Sequence, residues 1–188
     1  VLMLEGDIVE AKKVFIEARD LFKCIAEECG TIEAQHIYSV ALNRCGKICE
    51  LEEKFSEALE YYKESLNLRK KILSHIRTNE KIYEYALTQY FIAEIYRQQF
   101  DSKNAKKNYE EVLGLLQPMI VKDYKGDCHR IFYEASFERF KLDTYSGKKY
   151  LQYAIESLRW LIEKKPENKQ YQKQYELCQK MYKRCYPE

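Results

Sequence analysis

The sequence predicts an all-α chain in which paired antiparallel helices stack side by side as an α-solenoid, and three observations lead there. Gly and Pro number only 6 and 3 in 188 residues, too few for the many tight turns of an all-β protein. Hydrophobic residues at 46% and charged ones at 33% supply a core without the imbalance of a disordered chain. One helical stripe then recurs: an alanine, a large apolar residue four positions on, and a third packing residue at seven. It reads Ala11/Phe15/Ala18, Ala58/Tyr62/Ser65, Ala105/Tyr109/Val112 and Ala154/Leu158/Leu161. Steps of four and three keep to one face of a 3.6-residue helix. The alanines stand 47, 47 and 49 residues apart, and units repeated at such an interval bury their faces by stacking.

The elements follow in order. A first helix runs from about Asp7 to Glu28, and Gly30 ends it as a left-handed cap. Thr31 or Glu33 opens the second, whose body "IYSVALNRCGKICELEE" (37–53) sets Leu42, Cys45, Gly46 and Cys49 on one side. A turn at "EEKFS" (52–56) leads into the helix of Ala58, which runs on through "ESLNLRKKIL" (64–73). After a link at 73–81, "YEYALTQYFIAEIYRQQ" (83–99) places Ile92, Ala93 and Tyr96 as the second helix places its own packing residues. Ala93 lies 47 residues after Gly46, so a small mid-helix residue travels with the first helix of each pair. Gly46 with Ala58, and Ala93 with Ala105, are expected to let paired helices approach through small-on-small contact.

Beyond the turn "FDSKN" (100–104) comes the helix of Ala105, then a link over 117–127. "CHRIFYEASFERFKL" (128–142), the link "DTYSG" (143–147) and "YLQYAIESLRWLIEKKP" (150–166) form the next pair. The last stretch, 166–188, spaces Tyr171, Tyr175, Cys178, Tyr182 and Cys185 by 4, 3, 4 and 3. That single stripe backed by Lys and Gln reads as a capping helix on the final pair, because a solenoid's open end exposes a core face.

Leu42, Cys45, Gly46 and Cys49 followed by Phe55, Ala58, Tyr62 and Ser65 resemble the tetratricopeptide repeat. The later copies supply Ile92, Ala93, Tyr96, Ala105 and Tyr109, then Leu151, Ala154, Leu158 and Pro166, and the first supplies Gly6, Asp7, Ile8, Ala11, Phe15 and Ala18. The resemblance covers residues 1–166 as a half repeat (1–30) and repeats over 31–78, 79–122 and 127–166, with 167–188 as the cap. It implies a right-handed superhelix. The family period is about 34 residues, so 47 lengthens each unit by roughly 13. That lengthening resembles kinesin-light-chain-like and bacterial regulator arrays. Residues 1–4 are read as the stub of a missing first helix, and the chain as an excised part of a longer protein.

Several function classes are disfavoured. Lys+Arg 32 against Asp+Glu 30 gives a net charge of +2, without the basic stripe of a nucleic-acid binder. Apolar runs fall short of the ~20 residues of a membrane span, so no membrane association is expected. Seven cysteines without zinc-type pairing are read as reduced thiols, for the most part small core residues, in a cytoplasmic protein. His36, His75 and His129 are scattered one per unit, and neither a phosphate loop nor a nucleophile motif occurs. No metal, cofactor or catalytic residue is expected.

In the tetratricopeptide family the first helix of each pair lines a groove that holds an extended peptide or a partner helix. Carried over, the resemblance assigns to that groove Asn43, Arg44, Lys47 and Glu50, then Tyr90, Phe91, Glu94, Arg97 and Gln98, then Tyr133 with Phe132, Ser136 and Arg139. Asn43, Arg44 and Lys47 suit a peptide backbone or carboxylate through charge-assisted hydrogen bonds, and Tyr90 and Phe91 suit an apolar side group. Chaperone-binding members carry a polar pair at points where this sequence has Tyr90 and Phe91. The function expected is non-catalytic protein or peptide binding. A second expectation is the sensory part of a bacterial peptide-responsive regulator, and a third is self-association through the uncapped N-terminal end.

Overall fold

A computed structural model describes residues 5–122 and 126–187, with side chains for 10–122 and 127–187. Among these residues the protein forms α1 (Glu5–Cys29), α2 (Ile32–Leu51), α3 (Phe55–His75), α4 (Asn79–Gln98), α5 (Ser102–Val121), α6 (Gly126–Lys141), α7 (Lys148–Lys164) and α8 (Lys169–Cys185), with no strand. The fold is all-α, and helices α1–α4 and helices α5–α8 each pack on their neighbours in sequence, as in an α-solenoid. The stub expected at 1–4 lies outside the described residues.

Local chemistry sets the boundaries. The hydroxyls of Thr31 and Thr78 accept from the amides of Ala34 and Lys81 at 3.2 and 3.3 Å. The carboxylate of Asp101 and the amide oxygen of the Asn168 side group cap α5 and α8 in the same way, each satisfying an amide that the first helical turn leaves open. Gly30, at φ +61, ends α1. Glu53 (φ 58) and Phe100 (φ 60) adopt the same left-handed conformation 47 residues apart, so the turn after the first helix of a pair repeats along with the helices.

The protein divides into two compact units, 1–99 and 100–188. In the first, α2 packs against both α1 and α3, and α3 against α4. Its core joins Cys49, Ala58, Tyr62, Ile92 and Ile95. Burying one of the larger side chains contributes about 1.5–3 kcal/mol. The expected small-on-small contact takes a different form here. A Cβ built on Gly46 would stand 2.6 Å from Cε1 of Tyr62, so Gly46 is the hole that seats an aromatic ring. The Tyr62 hydroxyl then donates to Glu50 at 3.0 Å.

In the second unit α5 packs on α6, α6 on α7 and α7 on α8. Ala105, Tyr109, Val112, Ala154, Leu158 and Leu161 are all buried. Gly147 admits a tight corner before α7, where a Cβ would lie 2.6 Å from the Asp143 carbonyl. One expectation changes. The link expected over 117–127 is helical as far as Val121, through Pro118. Both Pro118 and Gly114, whose carbonyl loses a helical partner to it, face solvent, while buried Leu116 and Met119 hold the helix to the core. Among the cysteines, Cys24, Cys29 and Cys185 are exposed and the other four buried, all as free thiols.

Candidate functional site

The first unit holds a cleft of about 380 Å³ between α2 and α4, with α3 at its base. Val40, Asn43, Arg44 and Lys47 line it from α2, Arg69 from α3, and Glu84, Leu87 and Phe91 from α4. The volume falls in the range of about 300–1,000 Å³ usual for ligand pockets. Successive helical turns of α2 bring Val40, Asn43, Arg44 and Lys47 to one side. Arg44 and Lys47 are exposed, and Lys47 shares its charge with Glu50 at 2.9 Å.

Below them runs a polar seam. Asn43 is buried, and its Nδ2 donates to the Thr88 hydroxyl at 2.9 Å, tying α2 to α4. Thr88 in turn donates to the Glu84 carbonyl at 3.1 Å. The Ser65 hydroxyl donates to the Ser39 carbonyl at 2.8 Å. Arg69 is only 5% exposed; its Nε donates to the Ser39 hydroxyl at 3.3 Å and its Nη1 to the Glu84 carbonyl. Burial draws the guanidinium pKa down to about 10, with the nearby Glu84 charge opposing the shift. The Glu84 carboxylate pairs with Lys81 at 3.2 Å and faces His36 at 3.4 Å.

On the opposite wall the Phe91 ring lies 5.3 Å from that of Tyr62 and 6.2 Å from that of Tyr90. Phe91 thus reaches from the core to the cleft. Of the residues assigned to the groove from sequence, Asn43, Arg44, Lys47 and Phe91 meet here, with Glu50 and Tyr90 beside them. Glu94 and Arg97 pair with each other at 2.8 Å, and neither they nor Gln98 line the cleft. In the second unit Tyr133, Phe132, Ser136 and Arg139 are buried rather than displayed. Arg139 pairs with Glu110 at 2.7 Å and lies 4.6 Å over the Tyr150 ring, and burial raises the Tyr133 phenol pKa. These four residues serve packing.

Sequence reading misses Arg69, Glu84, Leu87 and Val40. For Arg69 a signal existed. Its register in the repeat is that of Phe22 and Leu116, 47 residues on either side, so a cation stands where the pattern calls for an apolar residue.

Cys45 and Cys178 are poor nucleophiles, since burial pushes the Cys45 thiol up to about 11 and that of Cys178 up to about 12. Among the described residues no group of three His, Cys, Asp or Glu converges for a metal ion, and no helix is long and apolar enough to cross a membrane.

No protein-family model matches the sequence, and no curated protein matches it. A solved structure of a de novo designed helical repeat protein aligns over 96% of this protein and 95% of that one, at 14% identity and a TM-score of 0.33.

Proposed function

We propose that this protein is a non-catalytic interaction module of the tetratricopeptide type, which binds an extended peptide or a partner helix in the cleft between α2 and α4. One observation carries the reading. Arg44, Lys47, Leu87 and Phe91 converge on one cleft from the first helices of two consecutive pairs, and neither cation is used in the core. An apolar wall with a few convergent polar groups is the usual composition of a ligand site. Paired helices supply rigid positions for these residues, and the polar seam beneath fixes the spacing of α2 from α4.

The test is selection of a displayed random peptide library against the whole protein, with the Arg44→Glu, Lys47→Glu double variant as counter-selection. Micromolar peptides, roughly 8 kcal/mol of binding, are expected to be recovered on the parent and lost on the variant. A library yielding only peptides indifferent to the double substitution overturns the assignment to this cleft.

A further inference from the structure

The stripe that is closed in the later copies of the repeat stays half-open on α1. Ala58 and Tyr62, Ala105 and Tyr109, and Ala154 and Leu158 are all 0% exposed, whereas their counterparts Ala11 and Phe15 are only half-buried. Beside that stripe Val14, Leu21 and Ile25 are 52, 59 and 36% exposed, at steps of seven and four that keep to one side of the helix. α1 thus turns an apolar strip outward, where the end of a stable solenoid is polar.

Charge separates the first helix from the last. α1 carries seven acidic residues against four basic ones, and α8 carries five basic against one acidic, although the net charge of the chain is only +2. The six helices between them each stay within two charges of neutral. The outer side of α8 sets Lys173, Lys180 and Arg184 around Leu177, itself 44% exposed. In the alternation of the repeat α1 is the second helix of a pair and α8 the first of one, so each is the kind of helix against which the other packs.

We propose that α8 of one copy of this protein packs against α1 of another, so that copies associate head to tail. Glu10 and Glu17 on α1 are exposed and seven residues apart, as are Lys173 and Lys180 on α8, which gives both rows a spacing of about 10.5 Å. Opposed charge rows of this kind set partner choice and orientation between paired helices. Leu177 and the aliphatic stems of the lysines then cover Val14, Leu21 and Ile25. An anionic lipid or a nucleic acid would use the cations of α8 and leave the strip on α1 bare, whereas a second copy answers both. The apolar area is small for a permanent interface, so the association is weak and leans on charge. Because unlike faces meet, an associated pair still offers one α1 and one α8, and growth continues past the dimer.

The experiment is sedimentation velocity of the whole protein at concentrations up to about 1 mM, the weak end of specific binding. At about 0.01 M salt the average sedimentation coefficient is expected to rise with concentration beyond that of a dimer. Raising the salt to about 1 M, which shortens the Debye length from about 30 to about 3 Å, is expected to weaken association by about tenfold or more. Two double variants at exposed positions decide which faces meet. Glu10→Lys with Glu17→Lys reverses the row on α1, and Lys173→Glu with Lys180→Glu reverses the row on α8. Each alone is expected to stay monomeric where the parent associates, since like charges then face each other. Their equimolar mixture, in which opposite rows meet again, is expected to associate as the parent does. A parent that stays monomeric throughout overturns the proposal and leaves the strip on α1 to a different partner. Association that is indifferent to the α8 variant, or that is not restored in the mixture, overturns it as well, and the former outcome means that α1 meets α1.

Discussion

Gly46 and Gly114 occupy helix interiors and do opposite things there. At Gly46 a Cβ meets the Tyr62 ring at 2.6 Å, whereas at Gly114 it meets nothing within 4 Å. Gly46→Leu is therefore expected to overpack the α2–α3 contact and destabilise the protein by about 1–3 kcal/mol. Gly114→Ala, free of any clash, is expected to stabilise by about 0.5–1 kcal/mol through backbone entropy. Urea denaturation of the two variants checks both signs. His36 offers a pH-dependent counterpart. Burial lowers its pKa from the ordinary 6.5; Lys81 and Arg69 push the same way, and Glu84 and Glu80 oppose them. The folded state thus binds this proton less readily than the unfolded chain. The contribution is complete above about pH 6.5 and is lost as pH falls through the lower folded value. His36→Gln is expected to flatten the fall in stability below about pH 6.5, measured as the urea midpoint against pH. An unchanged profile counts against the assignment.

At the scale of elements, the two left-handed turns are the sharpest local feature. Glu53 and Phe100 hold φ of 58 and 60, a conformation that costs a non-glycine residue roughly 1–2 kcal/mol relative to glycine. Glu53 is exposed and Phe100 is 92% exposed, so neither offsets that cost by packing. Glu53→Gly and Phe100→Gly are each expected to raise stability by about 1 kcal/mol, read from thermal melts. "EEKFS" and "FDSKN" locate the turn in the sequence, yet its conformation is not legible there, because neither stretch has glycine at the left-handed position. The helix ends at Gly30 and Thr31, in contrast, are written in the residues themselves. Pro118 misleads in the other direction: it suggests a break, and tertiary packing of Leu116 and Met119 carries the helix through.

For the molecule as a whole, most contacts within each unit join helices that follow one another in sequence, so stability is expected to be local. Loss of packing at Gly46 should propagate within residues 1–99 and fade beyond. Hydrogen exchange on Gly46→Leu is expected to show reduced protection in α2, α3 and α4, with α7 and α8 unaltered. Uniform loss across all helices would mean one cooperative block. The same low sequence separation predicts rapid folding. It also explains why the cleft arises where it does: α2 and α4 flank α3, and whatever α3 places between them becomes the base.

Periodicity alone determined the helices, their pairing and the side of each that turns inward, because a stripe spaced by four and three has one way to bury itself. Arg44, Lys47 and Phe91 were nominated by the resemblance to the tetratricopeptide repeat, not by periodicity. Only the tertiary structure decided that Gly46 receives a ring, that Tyr133 and Arg139 are interior, and that Arg69 lies beneath the cleft. Those facts depend on which atoms of separate helices meet. A repeat fixes the phase of each helix about its axis, and the depth and partners of a residue are set by neighbours that the local sequence does not contain.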